Sequence, residues 1–198
     1  MAQVTVPTDK LFEFAGFDAF YAWLAEHHDQ ADEIWIRIFR KASGRPTITP
    51  VEAIDAVLCW GWIDAIKKSW DEESYVQRYC PRRPKSVWSQ INRDNIARLV
   101  EQGLMTEHGM VHVRAAKADG RWDAAYKTNQ EPPADLMAAI AANPAAQKTY
   151  AGLSSQNRFA LTFRTISLKT EAGRKKRIAQ YVDMLARGET IYPQKDKS

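Results

Sequence analysis

Two hydrophobic periods divide this chain. Over residues 33–40, Ile34, Ile36 and Ile38 alternate with Trp35, Arg37 and Phe39. A period of two rich in β-branched residues predicts a strand, and its second face is amphipathic rather than polar. Elsewhere the spacing is mostly three to four. Phe20, Trp23, Leu24 and His27 share one face of a first helix, opened by Phe17-Asp18 with Asp18 as cap and Phe17 as staple. Residues 1–16 read as a loose lead-in. The clearest local signal is Thr49-Pro50-Val51-Glu52, with Thr49 as N-cap, Pro50 at the first helical position and Glu52 closing a capping box. Val51, Ile54, Val57 and Leu58 form the predicted buried stripe of that helix, and Gly61 ends it.

Residues 62–70 and 75–80 predict two strands around the polar turn Asp71-Glu72-Glu73-Ser74, although Lys67-Lys68 interrupts the alternation. They form an antiparallel hairpin beside the first strand, a sheet of about three strands, near the minimum for independent stability. Pro81 and Pro84 hold Arg82-Arg83 extended, because a residue before proline avoids the helical region. Ser86 is the expected cap of a helix carrying Trp88, Ile91, Leu99 and Val100. Thr106 caps another with Met110, Val113 and Ala116 inward. Residues 127–133 suit a linker. Short Ala-rich helices follow from Ala134 and Pro144. A further helix carries Phe159, Phe163 and Ile166 at one-face spacing. The last runs from Thr170 to Gly188 with Ile178, Tyr181, Val182 and Leu185 inward, before a frayed tail from Ile191. The predicted class is α+β, mainly helical, with an α+β domain over 1–126 and a helical part over 134–198.

Composition narrows the function. At 198 residues, 45% hydrophobic and 26% charged, the chain has the make-up of a globular protein with a proper core. The net charge of +4 permits acidic partners without demanding them. Two cysteines are too few for a disulfide scaffold and are expected as reduced thiols. The N-terminus shows no secretory pattern, and no run approaches the roughly 18 apolar residues that span a bilayer. The expected location is cytoplasmic, without membrane insertion. Nothing in the sequence sets the oligomeric state.

Candidate chemistry concentrates in residues 59–92, which hold Trp60, Trp62, Trp70 and Trp88, four of the seven tryptophans. Over 78–98, Arg78, Arg82, Arg83, Lys85, Arg93 and Arg98 face one acid, Asp94. Arginines beside Trp88 and Tyr79 suit an anion or a stacked ring, or else form a solvated rim. Asp64, beside Trp62, is the acid/base candidate, since desolvation raises a carboxyl pKa. The alternative is a carboxylate paired with a lysine. His108 and His112 stand four apart, as zinc ligands do, but the string His108-Gly-Met-Val-His112 has no base and no third ligand nearby, and it reads as a solvated helix face. No metal site and no cofactor motif is expected. Ser154-Ser155 before Asn157-Arg158 reads as a helix cap, and Arg174-Lys175-Lys176-Arg177 as a solvent face or an anion contact.

Several strings resemble one family. Glu33 to Arg37, Thr47-Ile48-Thr49, Leu58-Cys59-Trp60-Gly61-Trp62-Ile63-Asp64 and Tyr79-Cys80-Pro81-Arg82-Arg83-Pro84-Lys85-Ser86-Val87-Trp88-Ser89 are similar to the YdeI/OmpD-associated (OmdA) family of bacteriocin-protection-like bacterial proteins. Ala118 to Tyr126, Ser155 to Arg158 and Arg174 to Arg177 extend the likeness. The resemblance implies tolerance of bacteriocins or cationic peptides and association with an outer-membrane porin. It supplies no reaction and no catalytic residues.

The function expected first is a non-enzymatic binding or protective protein. Its groove would be lined by Trp60, Trp62, Asp64, Lys67, Arg78, Arg82, Arg83, Lys85 and Trp88 and would take a small anionic or aromatic ligand. Against it stand a small-molecule enzyme using Asp64 and a weak nucleic-acid binder using the 78–98 patch. The small basic excess disfavours the last. Trp60, Trp62 and Trp88 could equally build the core.

Overall fold

The computed structural model describes residues 5–127 and 129–194. Two compact units divide the chain, Met1–Tyr126 and Lys127–Ser198.

The first unit carries a four-stranded sheet, β1 (Leu11–Phe12), β2 (Ile34–Phe39), β3 (Trp62–Ser69) and β4 (Ser74–Pro81), in the order β1-β2-β4-β3. The fold is therefore α+β, as expected, but the sheet is mixed. Residues 1–16 are not all lead-in, because β1 pairs with β2 in parallel, Leu11 opposite Trp35. β2 is thus an inner strand, and both of its faces are buried, Trp35 and Phe39 included. β3 and β4 form the antiparallel hairpin. The break in alternation at Lys67 is a shift in register between Asp64 and Lys67, as a bulge produces.

Helices α1 (Phe17–His27) and α2 (Pro50–Cys59) pack Phe20, Leu24, Ala53, Ala56 and Val57 with Ile34, Ile36 and Ile38 of the sheet. On α1, Asp18 does not cap. The N-cap is Gly16, and Asp18 lies in the first turn, where its charge suits the helix dipole. Phe17 instead packs on Tyr21, ring centroids 5.2 Å apart. On α2 the capping box forms as expected. The buried side, however, is Ala53, Ala56, Val57, Leu58 and Cys59, while Val51 in the first turn is 64% exposed. Asp55 is buried there and paired with Arg98 at 2.7 Å. The far side of α2 meets α3 (Gln90–Glu101) and α4 (Glu107–Ala118) in a second core of Leu58, Cys59, Trp88, Ile96, Leu99, Val113 and Ala116. The cap of α3 is Ser89, not Ser86, because the Ser89 hydroxyl accepts from Asn92 N. Trp88 therefore precedes the helix, and Ile91 and Val100 are exposed.

The second unit comprises α5 (Ala134–Ala141), α6 (Pro144–Ala151), α7 (Ser155–Ile166) and α8 (Glu171–Ala186) around Leu136, Ile140, Leu153, Leu161, Ile178, Tyr181 and Leu185. On α7 the fully buried face is Asn157, Ala160, Leu161, Thr162 and Thr165, and Ile166 is exposed. Phe159 and Phe163 stack on each other, half-buried. The tail is held as far as it is described. Asn157, 1% exposed, donates to Tyr192 O (3.0 Å) and Gln194 Oε1 (2.9 Å) and accepts from Tyr192 N (2.9 Å). The last four tail residues expected to fray lie outside the described residues. Arg174 is structural, with a two-pronged bond to Asp135 and another to Thr165 O.

Candidate functional site

The end of α2 positions the site. Gly61 leaves the helix with φ of 73°, a conformation glycine adopts without a Cβ penalty, and starts β3. Helix α4 then docks on that end. The Thr106 hydroxyl donates to Cys59 O at 2.6 Å while capping its own helix. Gly109 permits the approach, since a Cβ there would sit 2.4 Å from Cys59 O and 2.7 Å from Leu58 O. Seated this closely, α4 brings His108 and His112 onto the aromatic end of α2.

Trp60 and the His108 ring lie nearly parallel, centroids 5.7 Å apart. His28, which ends α1, completes the group at 4.6 Å from Trp60 and 4.1 Å from His108. His28 Nδ1 lies 3.0 Å from Leu24 O, a carbonyl that can only accept, so Nδ1 is the donor there. His28 Nε2 and Trp60 Nε1 are both buried without a hydrogen-bond partner. With Gly61, Trp62, Pro81, Val111 and His112, these rings line a pocket of about 230 Å³. Three of the four histidines thus meet from two distant segments of chain.

Behind His112 lies a charged cluster. Arg82 is 4% exposed, and its guanidinium carbon lies 3.7 Å from the Trp88 ring centre. Nη1 donates to Val87 O at 3.1 Å, but Nη2 is buried without a partner. Burial pulls its pKa down to about 10, against the opposing pull of Asp64 and with the help of Arg121. Burial likewise lowers His112, and the charges of Arg82 and Arg121 add to the effect. Asp64 is an exposed residue on β3, yet the protein packed around its carboxyl pushes its pKa up, and Arg82 opposes that rise. Because the group meets solvent, the shift carries little stabilisation energy. Tyr126 is raised by burial and by Asp64. Arg121 is anchored through Ser86 O (2.9 Å) and Asp119.

The residues singled out in the sequence do not share one groove. Trp60 lines the pocket; Trp62 walls it at 1% exposure; Trp88 is buried against Trp122 at 5.1 Å between ring centroids. Asp64 and Arg82 are electrostatic neighbours. Lys67 lies beyond the bulge, 3.8 Å over the Tyr75 ring, and Arg78 pairs with Glu33 at 2.5 Å. Arg83 and Lys85 are exposed. The basic side chains of 78–98 form no single surface. Arg82 is buried, Arg78 and Arg98 hold carboxylates, and Arg93 donates to Trp122 O. His28 was read only as part of a helix end, and Arg121 and Tyr126 only as part of the Ala118–Tyr126 string of the resemblance, with no role in a site. The four-residue spacing of His108 and His112 did show that they share a face, but that face meets Trp60 rather than solvent alone. Among the described residues no group of three or more His, Cys, Asp or Glu is arranged to hold a metal ion. No helix among them is long and apolar enough to cross a membrane.

The pocket presents ring faces of the kind that stack on other rings. Arg82 does not line it and reaches it only through its charge on His112. Residues 12–112 match the family model described as a domain of unknown function (DUF8412). Residues 129–188 match the model described as "Bacteriocin-protection, YdeI or OmpD-Associated". No curated protein and no solved structure matches the chain.

Proposed function

This chain belongs to the family described as a domain of unknown function (DUF8412) and carries a segment of the YdeI/OmpD-associated type, and on that premise we propose that its first unit binds a small aromatic anion. The observation that carries this reading is Arg82, a buried cation stacked on Trp88 with Nη2 unpaired. Leaving a charged donor buried and unmatched is destabilising by about 1–3 kcal/mol or more, and a ligand oxygen would remove that penalty. The ring of the ligand would stack in the pocket of Trp60, His28 and His108, and its anionic group would face the side of His112 where Arg82 lies. Sequestering such a ligand fits the protective role in the description of the second segment. The unpaired thiols Cys59 and Cys80 support a cytoplasmic setting.

The test is an NMR titration with indole-3-carboxylate and, separately, indole. The expected result is movement of the His28, His108 and His112 ring signals and the Trp60 indole N–H, with the carboxylate bound more tightly. His108→Ala, at an exposed residue, should weaken binding about tenfold without shifting the melting temperature. Arg82→Lys, which keeps charge but loses the planar fork, should abolish the preference for the carboxylate. An unchanged preference, or the absence of shifts in these four rings, would refute the reading.

A second reading, a small-molecule enzyme with Asp64 as general acid/base, draws support from the raised pKa of that carboxyl. Following the Asp64 carboxyl carbon by NMR against pH tests it. Ionisation at the ordinary aspartate value of about 3.9 removes the support.

A further inference from the structure

A second cavity of the first unit, sharing no residue with the aromatic pocket, opens where the chain turns from β2 into α2. It measures about 600 Å³, within the range of small-molecule sites. Its floor is apolar, with Ile38 and Ile48 fully buried, Phe39 nearly so and Tyr75 half-buried. Its rim is cationic, with Arg40, Lys41 and Arg45. Lys67 stands just beyond, over Tyr75.

These cations differ from most others of the unit. Arg37, Arg78, Arg98, Arg114 and Arg121 each hold a carboxylate. Among the described residues, Arg40, Lys41, Arg45 and Lys67 hold none. The nearby acid Glu52 is committed to the capping box, accepting from Thr49 N and the Thr49 hydroxyl. The Glu52 carboxylate is therefore spent on the helix cap rather than on the cations of the rim. Arg45 is preset, its guanidinium 4.0 Å from the Phe39 ring centre. The Thr47 hydroxyl accepts from Phe39 N at 3.2 Å, which leaves its proton free to donate into the cavity.

Three unpaired cations around an apolar floor are complementary to a dianion on a flat body, and two arginine forks match phosphate oxygens better than a single carboxylate does. We propose that this cavity binds a phosphomonoester carried on an aromatic body, the class that includes nucleoside monophosphates. The phosphate would lie among Arg40, Lys41 and Arg45, and the ring on the apolar floor at the edges of Phe39 and Tyr75, whose faces carry Arg37, Arg45 and Lys67.

Titrations with AMP, adenosine and inorganic phosphate, read by calorimetry and by the Phe39 and Tyr75 ring signals, decide the matter. AMP should bind at least about tenfold more tightly than adenosine or phosphate. Arg40→Ala and Arg45→Ala should each weaken AMP about tenfold, and Lys176→Ala, in the other unit, should leave it unchanged. Arg45→Gln serves if the alanine variant melts early. AMP binding no tighter than phosphate, equal loss in Lys176→Ala, or no movement of Phe39 and Tyr75 would overturn the proposal.

Discussion

Replacing Gly109 by alanine sets two effects of opposite sign against each other. Gly109 lies in the first half of α4, and glycine to alanine inside a helix ordinarily stabilises by about 1 kcal/mol. Here the new Cβ would lie 2.4 Å from Cys59 O, 2.7 Å from Leu58 O and 2.8 Å from Met105 Cε. The methionine can move, but the two carbonyls belong to the last turn of α2, whose inner face is packed on the sheet. A carbon–oxygen contact wants about 3.3 Å or more, so α4 must retreat by about 1 Å. That retreat stretches the 2.6 Å bond from the Thr106 hydroxyl to Cys59 O and loosens Val113 and Ala116. Overpacking of this kind destabilises by about 1–3 kcal/mol, and the hydrogen bond adds about 1. Net of the propensity gain, Gly109→Ala should lose about 1–3 kcal/mol, several degrees in melting temperature. Thermal and urea denaturation measure the loss, and the His108 and His112 ring signals should shift with it. Gly152→Ala is the matched control. That residue follows α6 with φ of −82°, and a Cβ would meet nothing nearer than 3.6 Å, so the change should stabilise the second unit by about 0.4–1 kcal/mol. If Gly109→Ala is as stable as wild type and the histidine signals stay in place, α4 does not seat on α2 as described.

Asn157→Ala removes three bonds to the tail and should lower the stability of the second unit by about 2–3 kcal/mol. Amide exchange at Tyr192 should accelerate at the same time, and unchanged exchange would show that the tail is held otherwise. Glu52 should make stability pH-dependent. Bonds from Thr49 hold its carboxyl below the usual glutamate range. A depressed folded pKa contributes stability that is present above the unfolded value of about 4.3 and is lost as pH falls through the folded one. Glu52→Gln should therefore flatten the stability profile of the first unit at acid pH. A wild-type profile in the variant would refute this role.

The local chemistry of the chain was legible where a short string is sufficient. The Thr49–Glu52 capping box and the Thr106 and Thr170 caps each satisfy helix-end amides from within three residues, so no distant partner is needed. The period of two over 34–39 likewise named a strand. It did not show that β1 would cover the outer edge of that strand, because a two-residue strand has no period to detect. Ser86 and Ser89 are equally good caps on paper. Ser89 is the one that caps because the chain is drawn there by pairing outside the helix: Gln90 N bonds to Tyr126 O and Tyr126 N to Trp88 O.

The site divides along the same line. Trp60, Asp64 and Arg82 stood out in the sequence because aromatics, a carboxylate and arginines were crowded into one stretch. Their roles depended on burial and on contacts across the fold. Trp88 went to the core, Arg78 and Arg98 to ion pairs, and Arg82 to a buried stack with one nitrogen unmatched. His28 joined His108 and His112 only because α1 ends where Gly109 lets α4 touch α2, some 80 residues further along the chain. Sequence alone determined the eight helices and the three longer strands among the described residues, since those preferences act over a few residues, but not β1 or the cap of α3. Which side chains meet to form a site was decided by tertiary structure, because close packing joins groups that no spacing rule relates.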